Sequence, residues 1–141
     1  MNVLVVEDEV IQAELLRIML GHAGYDVLLA RDEGEAIDLL RAHPVGAILM
    51  DRGLQGADGL DLIRRLKQDP ATCPIPVLLV TAWPISREKG IEAGAVEVIT
   101  KPFNMKALLN ALRRALDGEA ISLERNEKPF GRLFFWPEQA G

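Results

Sequence analysis

Cysteine is almost missing from this sequence: Cys73 stands alone among 141 residues. A single thiol excludes an internal disulfide, and with no CxxC pair neither a zinc knuckle nor a dithiol redox centre fits. No apolar run approaches the roughly 20 residues that a membrane-spanning helix needs. There is no basic excess either. Lys and Arg number 16 against 21 Asp and Glu, for a net charge of −5 and a pI near 5.1. That balance argues against a nucleic-acid groove, which clusters basic residues along the phosphates. The pairs Arg64-Arg65 and Arg113-Arg114 sit in helical stretches beside acids or leucines and read as solvated faces. A dinucleotide site is excluded as well. Its first turn requires G-x-G-x-x-G, and here the first turn reads "EDEVIQ". Finally, "MNVLVVEDE" has no basic leader region and meets acid after a few apolar residues, so the expected location is cytoplasmic.

What is present is a regular alternation. An apolar fraction of 49% and a charged fraction of 26% suit one globular domain with its own core. "NVLVV", "YDVLLA", "GAILM", "IPVLLVT" and "VEVIT" read as short strands. Between them lie helical stretches. Ile11, Leu15, Ile18 and Met19 recur at helical spacing before Gly24, and Ala36, Ile37 and Leu40 recur before Pro44. "GLDLIRRLKQDP" is a third helix, and "PISREKGIEAG" a weak fourth, with Pro84 suited to its first turn and Gly90 and Gly94 lowering its helicity. The last carries Met105, Leu108, Leu109, Leu112 and Leu116 on one stripe. Strands that are continuously apolar predict a parallel sheet covered on both faces, an α/β fold. Asp26 and Glu97 mark the second and fifth strands as edges. In such folds ligands sit beyond the carboxyl ends of the strands.

Those ends carry Glu7 and Asp8, Asp51, Thr81, and Lys101 followed by Pro102. Three carboxylates at one edge repel, so a cation is expected among them, and oxygen ligands without His or Cys suit Mg²⁺ or Mn²⁺. A lysine and a hydroxyl nearby complete a site for a transferring phosphoryl group, with Asp51 as the nucleophile. Each residue also has a plainer reading. Asp8 and Thr81 precede helices as N-caps would. Asp51 suits an Asx turn, Lys101 an ordinary surface, and Glu7 a helix dipole. The joint placement at one predicted edge favours the site. An aspartate-nucleophile phosphatase would want a second aspartate two residues after the first, and that position is Gly53.

The segments "VLVVEDE", "ILMD", "DGLDLIRRLK", "PVLLVTA" and "GAVEVITKPF" resemble a response-regulator receiver domain of two-component signalling, in order and over residues 1–117. The resemblance implies a flavodoxin-like (βα)5 doubly wound sheet of strand order 2-1-3-4-5. It implies that Asp51 accepts phosphate from a sensor histidine kinase or a histidine phosphotransfer protein. Glu7, Asp8, Asp51 and the Gly53 carbonyl would hold Mg²⁺, and Thr81 and Lys101 would contact the phosphoryl group. It further implies self-catalysed phosphorylation and dephosphorylation in place of turnover of a separate substrate. No nucleic-acid or membrane partner is expected of this domain, and its downstream target is unspecified. A homodimer through the fourth helix, fifth strand and fifth helix, or through the tail, fits the same pattern. The alternative is a pseudo-receiver that docks or dimerises without phosphorylation.

The departures are specific. Gln55 stands where the family usually has proline, and Val98 where a switch aromatic is common. Residues 118–141 form a tail in which "PFGRLFFWP" holds four of the seven aromatic residues. Docking on the body, dimer contact, disorder and a partner-binding peptide are the readings open to it. Trp83, two residues past Thr81, either packs on the fourth helix or shields the acyl phosphate from an in-line water. On the second reading Trp83→Ala shortens the life of the phosphorylated state. Dephosphorylation measured after removal of the donor tests it, and an unchanged rate refutes the shield.

Overall fold

The computed structural model describes residues 1–54, 56–82 and 87–118. Gln55, Trp83 and the aromatic run after Gly118 lie outside the described residues. Among the described residues five strands alternate with five helices: β1 (Asn2–Val6), α1 (Val10–His22), β2 (Asp26–Ala30), α2 (Glu33–Ala42), β3 (Ala47–Asp51), α3 (Gly59–Gln68), β4 (Val77–Thr81), α4 (Arg87–Ala93), β5 (Glu97–Thr100) and α5 (Met105–Leu116). All strand pairs are parallel, in the order β2-β1-β3-β4-β5. β2 and β5 are the edges, as Asp26 and Glu97 predict. Among the described residues no helix is long and apolar enough to cross a membrane.

Strand side chains alternate between two cores. Leu4, Val6, Ile48, Met50 and Leu79 pack beneath α2, α3 and α4, against Ala36, Leu62, Ile63, Leu66 and Ala93. Val3, Val5, Leu49 and Leu78 point the other way, to Leu16 and Leu20 of α1 and to Leu108 and Leu112 of α5. This two-sided burial is why β1, β3 and β4 read as unbroken apolar runs.

α1 departs from its expected stripe. Its buried face is Ala13, Leu16 and Leu20. Of the residues singled out by spacing, Ile11, Leu15 and Ile18 are 75%, 55% and 45% exposed, and Val10 is 69% exposed. The helix is apolar on two sides, so periodicity alone marked the wrong one.

α4 is short, and two glycines explain how it sits. Gly94 adopts φ +120, where its N–H reaches the Ile91 carbonyl at 3.0 Å and ends the helix. Gly90 lies against β5: a Cβ placed there would run into Val98 Cγ2 and come within 3.5 Å of Leu79 Cδ2. Valine in place of a ring at position 98 and glycine at position 90 therefore fit one another. An alanine at 90 gains helix propensity of about 1 kcal/mol but overpacks a site that offers no room. Gly90→Ala is expected to lower stability by a net 1–2 kcal/mol, within the ~1–3 kcal/mol range of overpacking. Val98→Ala in the same chain recovers part of that loss. Urea unfolding of the two single variants and the double variant measures it, and equal costs in both backgrounds would refute the contact.

Candidate functional site

The ladders of the sheet run one residue past the strands, and this aims the site. Glu7 N–H donates to the Ala30 carbonyl at 2.9 Å, Arg52 N–H to Val80 at 3.0 Å, and Lys101 N–H to Thr81 at 2.7 Å. The side chains at the carboxyl ends are therefore held by backbone, not by loop packing. Asp51 gains a second constraint. Gly59, the first residue of α3, donates to the Arg52 carbonyl at 2.9 Å and packs so tightly that a Cβ would lie 2.5 Å from the Asp51 carbonyl oxygen. Only glycine lets α3 start there.

The plainer readings can now be compared with the caps that form. The N-cap of α1 is Glu9, whose carboxylate accepts from Gln12 N–H at 2.8 Å, and that of α3 is Asp58, which accepts from Leu60 N–H at 2.9 Å. Asp8 and Asp51 are therefore not consumed as caps. From its own loop Asp51 accepts a long, 3.4 Å contact from Gly53 N–H, the remnant of an Asx turn. Thr81 is fully buried at the end of β4, beside Thr100 in register. Gly53 is exposed on the loop after β3.

Glu7, Asp8 and Asp51 each place a carboxylate oxygen within 4.8 Å of the others. Two ionised groups at such a separation repel by roughly 3 kcal/mol at an effective dielectric near 20. One cation is present among them. Lys101 Nζ lies 3.4 Å from Asp51 Oδ1, 3.5 Å from Glu7 Oε1 and 3.0 Å from Gln12 Oε1. Three carboxylates against one ammonium leave an excess of two negative charges. An all-oxygen donor set with that excess fits a divalent hard cation, whose octahedral shell spans about 4.2 Å between opposite oxygens. Next to it, Arg52, Gly53, Ala57 and Asp58 line an open depression of about 360 Å³.

Glu7 is 3% exposed. Burial raises its carboxyl from 4.5 to about 7, with Asp51 adding to the rise and Glu9 N–H and Lys101 opposing it.

Gln12 was not anticipated. It lies four residues after Asp8 in the first turn of α1, and its amide oxygen is the closest partner of Lys101. Helical spacing from Asp8 points to it, but a neutral side chain among so many charges gave no chemical signal. Gln55 and Trp83, expected to modulate the site, lie outside the described residues, and Val98 sits beneath α4 away from the carboxylates.

A doubly wound parallel sheet with three carboxylates and a lysine at its ligand edge defines a flavodoxin-like α/β protein with an acidic cation pocket. The profile of the response regulator receiver domain matches residues 3–113. The chain belongs to that family and is a receiver domain of two-component signalling. It is 36% identical over 117 residues to the phosphate regulon transcriptional regulatory protein PhoB of Pseudomonas aeruginosa, covering 82% of this chain and 51% of PhoB. It thus spans about half the length of the curated relatives it matches. The signal receiver domain of a signal transduction histidine kinase from Syntrophus aciditrophicus superposes with a TM-score of 0.76 at 33% identity, covering 90% of this chain and 95% of that one. Response regulator TrrA from Thermotoga maritima, solved in complex with Mg²⁺-BeF, gives a TM-score of 0.72 at 25% identity over 81% of this chain and 97% of its own.

Because folding raises the Glu7 pKa, the folded, metal-free domain binds more protons than the unfolded chain between pH 4.5 and about 7. The contribution of Glu7 to stability is therefore present below pH 4.5 and is lost as pH rises through 7. In EDTA the melting temperature is expected to fall across that window, and Glu7→Gln to flatten the fall. A slope unchanged by Glu7→Gln would refute the assignment.

Proposed function

We propose that this domain is a phosphoacceptor switch, in which Asp51 takes the phosphoryl group of a phosphohistidine on a sensor histidine kinase or a histidine phosphotransfer protein. The observation that carries it is the convergence of Glu7, Asp8 and Asp51 within 4.8 Å, with the Lys101 ammonium 3.4 Å from Asp51. Mg²⁺, or Mn²⁺ in its place, when bound by Glu7, Asp8, Asp51 and the Gly53 carbonyl, supplies positive charge opposite the transferring oxygens.

The chain's own residues do the rest. A carboxylate oxygen of Asp51 attacks phosphorus, the P–N bond to the donor imidazole breaks, and its electron pair leaves with the imidazole. Lys101 swings from Gln12 and the carboxylates to an equatorial oxygen, and the Thr81 hydroxyl donates to another. Hydrolysis by water on the same phosphorus restores Asp51, so the domain catalyses its own charging and its own reset. The donor approaches over the start of α1. There, Ile11 and Leu15 are exposed on the helix whose Gln12 touches Lys101, so apolar docking and the reactive edge lie side by side. The complete set of acidic, hydroxyl and amino groups supports this reading over a docking module that works without phosphorylation.

Mass spectrometry after incubation with acetyl phosphate and Mg²⁺ tests it. One labile phosphoryl adduct is expected, absent in Asp51→Ala and absent under EDTA. Lys101→Ala slows its formation by about 10²-fold, the usual loss for one charge-stabilising donor. An adduct that persists in Asp51→Ala, or no adduct in the parent protein, refutes the proposal.

A further inference from the structure

We infer that Gln12 is a positioning residue for Lys101: its amide oxygen draws the ammonium out of the carboxylate cluster, leaving Glu7, Asp8 and Asp51 open to a divalent cation. The distances carry this. A hydrogen bond from an ammonium to a carboxylate ordinarily closes to about 2.7–2.9 Å. Lys101 Nζ stops 3.4 Å from Asp51 Oδ1 and 3.5 Å from Glu7 Oε1, yet lies 3.0 Å from the neutral Gln12 Oε1. Charge alone would give the opposite order, because a carboxylate attracts an ammonium more strongly than an amide does. The ammonium is held back from its stronger partners by its weaker one.

Both ends of this contact are anchored. Glu9 N–H donates to Glu7 Oε2 at 3.1 Å, and the Glu9 carboxylate in turn accepts from Gln12 N–H at 2.8 Å. Gln12 Oε1 accepts from Lys101, and Lys101 returns to Glu7 through Oε1. Glu7, Glu9, Gln12 and Lys101 thus close a ring that joins the ends of β1 and β5 to the first turn of α1. The cap of α1 fixes the backbone from which the amide reaches. On the other side, Lys101 N–H is bonded to the Thr81 carbonyl at 2.7 Å, and the lysine side chain is only 18% exposed. Without the amide, the partners left to Nζ in this ring are the carboxylates. Closing one contact from 3.4 Å to about 2.8 Å at an effective dielectric near 20 strengthens the ion pair about five-fold. A cation entering the pocket then works against that gain. The inference rests on the cation pocket of the proposed function, and not on phosphoryl transfer.

Mg²⁺ itself is the probe, titrated by calorimetry into the full, unphosphorylated chain. Gln12→Met keeps the length and helix propensity of the side chain but removes the acceptor. It is expected to weaken Mg²⁺ binding about five-fold, the gain of the closed ion pair. Gln12→Glu, which keeps an acceptor at the same reach, holds the affinity at or above that of the parent. Gln12 is exposed on α1, so both variants keep the fold. In a Lys101→Met background Gln12→Met has no effect, because there is no ammonium to hold. A Gln12 that served only the helix would lower the affinity in both backgrounds. Equal affinity of the parent and Gln12→Met, or the same loss with and without Lys101, overturns the inference while the pocket stands. A parent that binds no Mg²⁺ overturns the pocket itself, and with it both readings.

Discussion

The mutual repulsion of Glu7, Asp8 and Asp51 is the constraint around which this molecule is arranged. Three carboxylates sit where the sheet ends, with oxygens within 4.8 Å of one another and a lysine beside them. The two apolar cores supply the free energy that holds them there, and the extended ladders leave the side chains little room to spread. Burial is the first cause that pushes the Glu7 carboxyl up, and the charge of Asp51 adds to it. The receiver family to which the chain belongs is built on such an edge.

From that edge the structure leads towards α4 and β5. Lys101 is bonded through its backbone to Thr81, and both sit at the ends of neighbouring strands, so displacement of one is felt by the other. Beyond them α4 rests on β5 through the Gly90–Val98 fit and through the ion pair of Arg87 with buried Glu97, 2.7 Å apart. With valine at 98, no ring is available there to rotate. The pairing of a glycine on the helix with a small residue on the strand is the local logic of this chain.

α1 serves two masters. Its buried face, Ala13, Leu16 and Leu20, closes one core, while its opposite side offers Val10, Ile11, Leu15 and Ile18 to solvent. Gln12 stands between that row and Lys101. The helix therefore brings an exposed apolar row close to the carboxylate edge.

Much of this was legible in the residues themselves. Apolar runs without alternation determined the parallel sheet, acids at Asp26 and Glu97 its edges, and the carboxyl-end rule the approach of Glu7, Asp8, Asp51 and Lys101. These are local patterns, and the physics behind them is burial and period. Tertiary structure alone decided the rest. Which apolar side of α1 faces inward depends on where the sheet lies, because both sides satisfy helical spacing. Glu9, not Asp8, became the cap, because the last ladder bond orients Glu7 and with it the turn. Gln12 entered the site through distance, and Gly59 and Gly90 acquired their roles from the strands against which their helices pack. Period and composition record what a residue prefers; only packing in three dimensions determines which neighbour it meets.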